Sequence, residues 1–185
     1  DNLIFKAVPD SRGAAPEKPL TPSGPIVQET TGKKAPVRTF QDLLTNPHDE
    51  DLFDYYTTSQ LYTINLKTKT KKAFGEPGIF YQLSPSPDGE YVFISEIVKP
   101  YSYIVPYYRF AQTAKVYNKA GNSIKTVANI PVAEDSPKGF GAVRMGPRSF
   151  AWRSDKPAVL YWIEAQDEGD PNKEAEVRDK MFYLT

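Results

Sequence analysis

Three arginines, Arg144, Arg148 and Arg153, fall within ten residues of one another. A guanidinium grips a carboxylate through two parallel N–H donors, so such a concentration suits the holding of an acidic group. These three are the candidate substrate-binding residues. They could equally pair with acidic side chains of neighbouring sheets. His48-Asp49-Glu50-Asp51 offers ligand-type side chains in a row. Consecutive helical residues point in different directions and cannot all face one ion. The run is read as the acidic start of a helix, and neither metal nor cofactor is expected. Pro100-Tyr101-Ser102-Tyr103 and Pro106-Tyr107-Tyr108-Arg109 combine apolar area with hydroxyl tips. Such a run can line a peptide cleft or pack an insertion onto sheets. Ser84, Ser86 and Asp88 belong to a turn, where short polar side chains bond their own backbone.

No catalytic residue is expected in these 185 residues. Serine chemistry needs a nucleophile, a histidine base and an orienting carboxylate in contact. His48 is the sole histidine, cysteine is absent, and no G-x-S-x-G elbow occurs. The lack of cysteine also excludes disulfides and thiolate metal sites.

Charges balance at 23 basic and 23 acidic residues, so no global field draws the chain to nucleic acid or an anionic membrane. The lysines from Lys67 to Lys72 alternate with threonine and lack the stacking aromatics of a nucleic-acid surface. They suit an outer strand that must resist edge pairing. No apolar run is long enough to span a bilayer. Twelve Tyr, ten Phe and seventeen Pro make this a β composition with many turns. With Asp1 first and no initiator Met, the sequence is read as one that lost a leader or as a piece of something longer.

Residues 3–8 read as a strand ended by Pro9. Residues 9–37 are rich in Pro, Gly, Ser, Thr and Lys, which predicts a long, partly disordered surface excursion anchored at Ile26-Val27. Two short helices follow. Thr39 and Asp42 stand near capping-box spacing for the first, with Leu43 and Leu44 as its apolar side. Asn46 caps the second, Pro47 opens it, and it should run to about Tyr55. Alternation at 61–66 predicts a strand with Tyr62, Ile64 and Leu66 on one face. Gly75-Glu76-Pro77-Gly78 is expected to turn the chain back. Tyr91 to Ile94 is apolar throughout, as a central strand between packed sheets should be.

Ser84 to Ile94 and Phe150 to Trp162 share one plan, a polar turn followed by a strongly apolar run. Laying Asp88 on Asp155 places Val92 on Val159 and Phe93 on Leu160. Repetition at this period marks solenoids and propellers, and strand–turn–strand is the inner half of a propeller blade. The fold class expected is all-β: a partial β-propeller of about two to two and a half four-stranded antiparallel blades. It forms a single segment over 1–185, with an excursion carrying short helices at 9–56, blade-forming strands at 57–130 and the next blade at 140–185. Closed propellers carry about four to eight blades. The open sheet faces therefore predict a fragment, or cover by the 9–56 excursion or another chain, with a dimer through blade edges as one such assembly.

An ordered series of segments goes beyond a generic propeller: Gly24 to Glu29, Lys34 to Leu44, Asn46 to Glu50, Phe53 to Tyr56 with Ser59 to Leu61, Val143 to Phe150, and Trp152-Arg153 through Leu160 to Ala165. From about residue 24 onward the chain resembles the propeller region of glutamyl endopeptidase-like members of the prolyl oligopeptidase family. The resemblance implies a seven-bladed propeller capping a C-terminal α/β-hydrolase domain with a Ser-Asp-His triad. It implies peptide-bond cleavage after acidic residues, and an exported enzyme, periplasmic or secreted. A guanidinium would suit that specificity. None of the triad can be carried over to this sequence. The expected function is thus a non-catalytic segment of a serine peptidase, gating an active site outside it and admitting short or unfolded peptides. The partners implied are the hydrolase domain of the same parent and a peptide substrate, with no nucleic acid and no membrane. The alternative is a free-standing module that binds protein or glycan partners, since propellers serve many roles.

Overall fold

The computed structural model describes residues 2–20, 40–137 and 139–185. The architecture is all-β with little helix. The strands are β1 (Asn2–Ala7), β2 (Ser59–Asn65), β3 (Lys71–Pro85), β4 (Tyr91–Ile97), β5 (Gln112–Asn118), β6 (Ser123–Ile130), β7 (Arg148–Trp152), β8 (Leu160–Ala165) and β9 (Asp179–Leu184). Among the described residues one helix, α1 (Pro47–Thr57), and a single 3₁₀ turn at Tyr107–Arg109 accompany them. All pairings are antiparallel and follow chain order, β1 through β6 in one sheet and β7 through β9 in a second. Among the described residues the strands close no ring.

The long strand β3 changes partner partway along. Lys71 to Phe74, and then Gly78, pair with β2, and Ile79 to Pro85 pair with β4. The switch falls at Gly75-Glu76-Pro77-Gly78, read above as a turn. Gly75 takes a left-handed backbone (φ 63°) and Pro77 has no N–H to give a ladder, so the register with β2 shifts there and resumes at Gly78 opposite Ser59. The chain passes from one set of strands to the next without leaving extended structure.

Strand β4 is covered on both faces. Val92 and Ile94 pack with Leu61, Phe74 and Phe80 on one side. Phe93, fully buried, packs on the other with Ala114, Val116, Ile130, Phe150 and Leu160. The rings of Phe93 and Phe150 stack 4.9 Å apart, joining the two sheets. The doubly apolar reading of Tyr91 to Ile94 thus holds. So does the repeat: the aligned Phe93 and Leu160 both sit fully buried in one cluster. Their preceding turns touch, with the Asp88 amide donating to the Pro157 carbonyl at 3.1 Å. The two strands that lead into those turns lie side by side. Gln82 Nε2 donates to the Phe150 carbonyl at 3.0 Å, and Trp152 Nε1 to the Ser84 carbonyl at 2.9 Å.

Two local readings need correction. The helix expected from Thr39 to Leu44 is absent over its described part. Asp42 adopts φ 56°, a left-handed conformation that a helix cannot include and that Asp tolerates better than most. Thr39 and the anchor Ile26-Val27 lie outside the described residues, as does most of the 9–37 excursion. In β2 the deeply buried residue is Leu61, on the face opposite Tyr62 and Ile64, while Leu66 lies beyond the strand and is exposed. Leu61 faces the cluster of β3 and β4, whereas Tyr62 stacks on Phe5 beneath the Lys71 ammonium.

Helix α1 forms as its sequence dictates. Asn46 Oδ1 accepts from the Asp49 amide at 3.0 Å, Pro47 occupies the first turn, and the helix continues two residues past Tyr55. Its Phe53 packs edge-on against both Tyr101 and Phe110 of the β4–β5 connection, in an apolar cluster with Ile97 and Val105.

Candidate functional site

Antiparallel order sorts the connections to two ends. Tight turns link β3 to β4, β5 to β6 and β7 to β8 at one end. Long connections gather at the other. There α1 packs on the β4–β5 connection, the Ala133 amide donates to the Arg109 carbonyl at 2.9 Å, and the Val143 amide donates to the Gly169 carbonyl at 3.0 Å. Loops held on a rigid sheet end are where proteins place recognition surfaces.

The tyrosine run is largely structural. Tyr101 stacks on Phe110 and donates a very short hydrogen bond to Asp54, whose other oxygen meets Lys99 Nζ at 2.9 Å. Burial, and then the bond to Asp54, push the Tyr101 phenol far above its ordinary range. Tyr103 donates to Glu50 at 2.7 Å, which raises its phenol to about 12. These bonds fasten the insertion to α1. Tyr107 and Tyr108 remain exposed, with the Tyr107 ring 6.5 Å from Tyr81.

The three sequence-predicted arginines do not converge. Arg153 and Arg148 bracket β7 from opposite ends. Arg153 lies at the tight-turn end and forks onto Asp155 two residues on, Nε to Oδ1 at 3.0 Å and Nη2 to Oδ2 at 2.6 Å. Arg148 binds Asp179 across the sheet, joining the starts of β7 and β9. Arg144 is different. Its Nη2 donates to the Pro131 carbonyl at 3.0 Å, its Nε is buried without an acceptor, and no carboxylate pairs with it among the described residues. Burial, and then the like charge of Arg109, hold its guanidinium below the ordinary arginine range, with Tyr81 opposing the shift. Arg109 likewise lacks a carboxylate among the described residues, and its guanidinium lies 5.5 Å from the centre of the Phe40 ring.

Sequence reasoning missed Tyr81 and Arg109. Tyr81 is the extra residue of a β-bulge: Phe80 faces Glu96 and Gln82 faces Ser95, leaving Tyr81 unpaired and exposed. A bulge re-aims a side chain that regular alternation would turn elsewhere. Arg109 was legible only as the end of an aromatic run.

His48 sits in the first turn of α1, beside Asp49, whose carboxylate is taken up by Thr45. The side-chain bonds from Thr45 hold Asp49 below its ordinary range. Among the described residues no group of three or more His, Asp or Glu is arranged to hold a metal ion, and no helix is long and apolar enough to cross a membrane.

The class these features define is an all-β protein of two antiparallel sheets with its long loops gathered at one end. Comparison with known proteins then gives it relatives. The chain is 46% identical over 181 residues to the "Probable glutamyl endopeptidase, chloroplastic" of Oryza sativa subsp. japonica. It is 43% identical over 181 residues to the protein of the same name in Arabidopsis thaliana. Each match covers 97% of this chain but 19% of the relative, so the chain spans about a fifth of the length of these curated relatives. No family model and no solved structure matches. The relatives' names place them in the chloroplast, whereas the sequence reading expected a periplasmic or secreted protein.

Proposed function

We propose that this chain is a non-catalytic β-propeller segment of a larger serine peptidase of glutamyl endopeptidase type, which caps an α/β-hydrolase active site supplied elsewhere in the parent. The observation that carries the reading is the match to a fifth of two proteins named as endopeptidases, at 43% and 46% identity. The strand arrangement supports it. β1, β2 and the first half of β3 read as the outer part of one blade. The second half of β3 with β4, β5 and β6 reads as a complete blade, and β7 to β9 as the inner part of a third. On this reading the side chains of Gln82 and Trp152 tie successive inner strands around a channel.

A cap of this kind excludes bulk water and filters substrates by size. The parent works in an exported or organelle-targeted compartment. The test is size selectivity in the full-length polypeptide. The parent cleaves short peptides and unfolded casein but spares a folded protein of the same composition. Phe53→Ala loosens the packing of α1 on the β4–β5 connection, so it should raise cleavage of the larger substrate while leaving short-peptide turnover within about twofold. A parent without peptidase activity would instead favour a stand-alone binding module.

A further inference from the structure

We infer that the hollow framed by β2, β3, β4 and β5 binds a free apolar α-amino acid, its ammonium on Glu96 and its carboxylate on Lys115. The inference does not rest on the peptidase reading. The hollow measures about 580 Å³, the size of a small-ligand site. Its floor is apolar, from Phe74, Phe80 and Ile94, and its polar wall is Glu96, Lys115 and Tyr117. Strand register sets these side chains on one face. Glu96 stands two residues from Ile94 on β4, Lys115 of β5 faces Ile94, and Tyr117 faces Val92. Phe80 faces Glu96 from β3, and the Tyr117 and Phe74 rings lie 6.0 Å apart. The Glu96 carboxylate occupies the space of a missing side chain, since a Cβ at Gly78 would stand 2.1 Å from its Oε1. The β5–β6 turn closes the far side, where Gly121 lies so near β3 that a Cβ there would stand 2.9 Å from the Gly75 nitrogen.

The polar tips of the wall are unused. Among the described residues Glu96 accepts no hydrogen bond and makes no ion pair, and neither the Lys115 ammonium nor the Tyr117 hydroxyl is hydrogen-bonded. Glu96 and Lys115 are diagonal neighbours across β4 and β5, within reach of each other for long side chains. They stay apart all the same. Burial disfavours the Glu96 charge, and Lys115 offsets that only in part. A half-buried carboxylate with no hydrogen bond costs the fold stability, so folding alone does not account for it. An α-amino acid carries both charged groups on one carbon, so a single molecule bridges the gap. Its ammonium offers donors to Glu96, its carboxylate accepts from Lys115 and the Tyr117 hydroxyl, and an apolar side chain rests on the aromatic floor.

The test is isothermal titration calorimetry of the full-length polypeptide with L-leucine, leucinamide and N-acetyl-leucine. Leucinamide lacks the carboxylate and N-acetyl-leucine the ammonium. Each should bind about 10- to 100-fold more weakly than leucine. Alanine, too short to cover the apolar floor, should bind about 10-fold more weakly or worse. Glu96→Gln should weaken leucine binding about 10- to 100-fold and abolish the preference for leucine over N-acetyl-leucine. Lys115→Gln should abolish the preference for leucine over leucinamide. Arg153→Ala, in the second sheet, should change neither. Undetectable leucine binding at millimolar concentration overturns the site. So does leucine affinity unchanged in Glu96→Gln, or leucinamide bound as tightly as leucine. If Lys115→Gln fails to fold, Glu96→Gln and the leucinamide comparison decide by the same criteria. Leucine binding that is lost in Glu96→Gln stands whether or not the parent cleaves peptides. Peptidase activity in a parent that binds no leucine would remove this site and leave the peptidase reading intact.

Discussion

Gly169 has no room for a side chain. Its backbone is left-handed (φ 78°), an added Cβ would stand 2.1 Å from the Val143 carbonyl oxygen, and the Val143 amide donates to the Gly169 carbonyl. Gly169→Ala is expected to destabilise by about 2 kcal/mol or more, read as a fall in the urea midpoint. Gly13→Ala, at φ 68° in open space, should cost only about 1 kcal/mol. Glu96 offers a second residue-scale expectation. It is half-buried on β4 opposite Phe80, and that burial raises its carboxyl, with Lys115 opposing. A raised folded-state value means the neutral acid is favoured in the fold. Its stabilisation is therefore full below the ordinary carboxylate range and lost as pH rises through the raised value. Glu96→Gln should gain stability relative to wild type between about pH 4 and pH 7, with the two converging at the acid end, as chemical denaturation at each pH would show. None of this was legible from residue type. Glycine in a polar turn announces a turn, not the carbonyl that will press against it.

At the scale of elements, β4 ties the molecule together because both of its faces are used. Phe93→Ala removes the ring that meets Phe150 of the second sheet, and about 3–5 kcal/mol of stability should go with it. Asn46→Ala should cost about 1 kcal/mol and speed amide exchange along α1, since the cap accepts the Asp49 amide. The strands and this helix were readable in advance because their signals are local: alternation, an Asn-Pro start, Pro-Asp-Gly punctuation. The exceptions failed for non-local reasons. Leu61 and Tyr62 are equally apolar to a period-two reading, and the packing of β3 and β4 alone decides which is buried. The helix proposed before Asn46 had a fair cap and two leucines, but Asp42 went left-handed. The arginine cluster dissolved because a strand intervenes. Five residues of β7 suffice to carry Arg153 to the end of the sheet away from Arg148, while Arg144 is tied to the Pro131 carbonyl instead.

At the scale of the whole molecule, β1 and β9 present outer faces with little cover. Leu3, Met181 and Tyr183 are each more than half exposed. Sheet edges and apolar faces of this kind are built to be paired or covered. The repeat of strand, polar turn and buried strand made the architecture legible as a series. The chain spans about a fifth of the length of the curated relatives it matches. The decisive measurement is mass-spectrometric mapping of a serine-directed fluorophosphonate adduct in the full-length polypeptide. A single adduct on a serine outside these 185 residues is expected, with peptidase activity lost in proportion. An adduct on a serine within them, or a parent that the probe does not label at all, would contradict it.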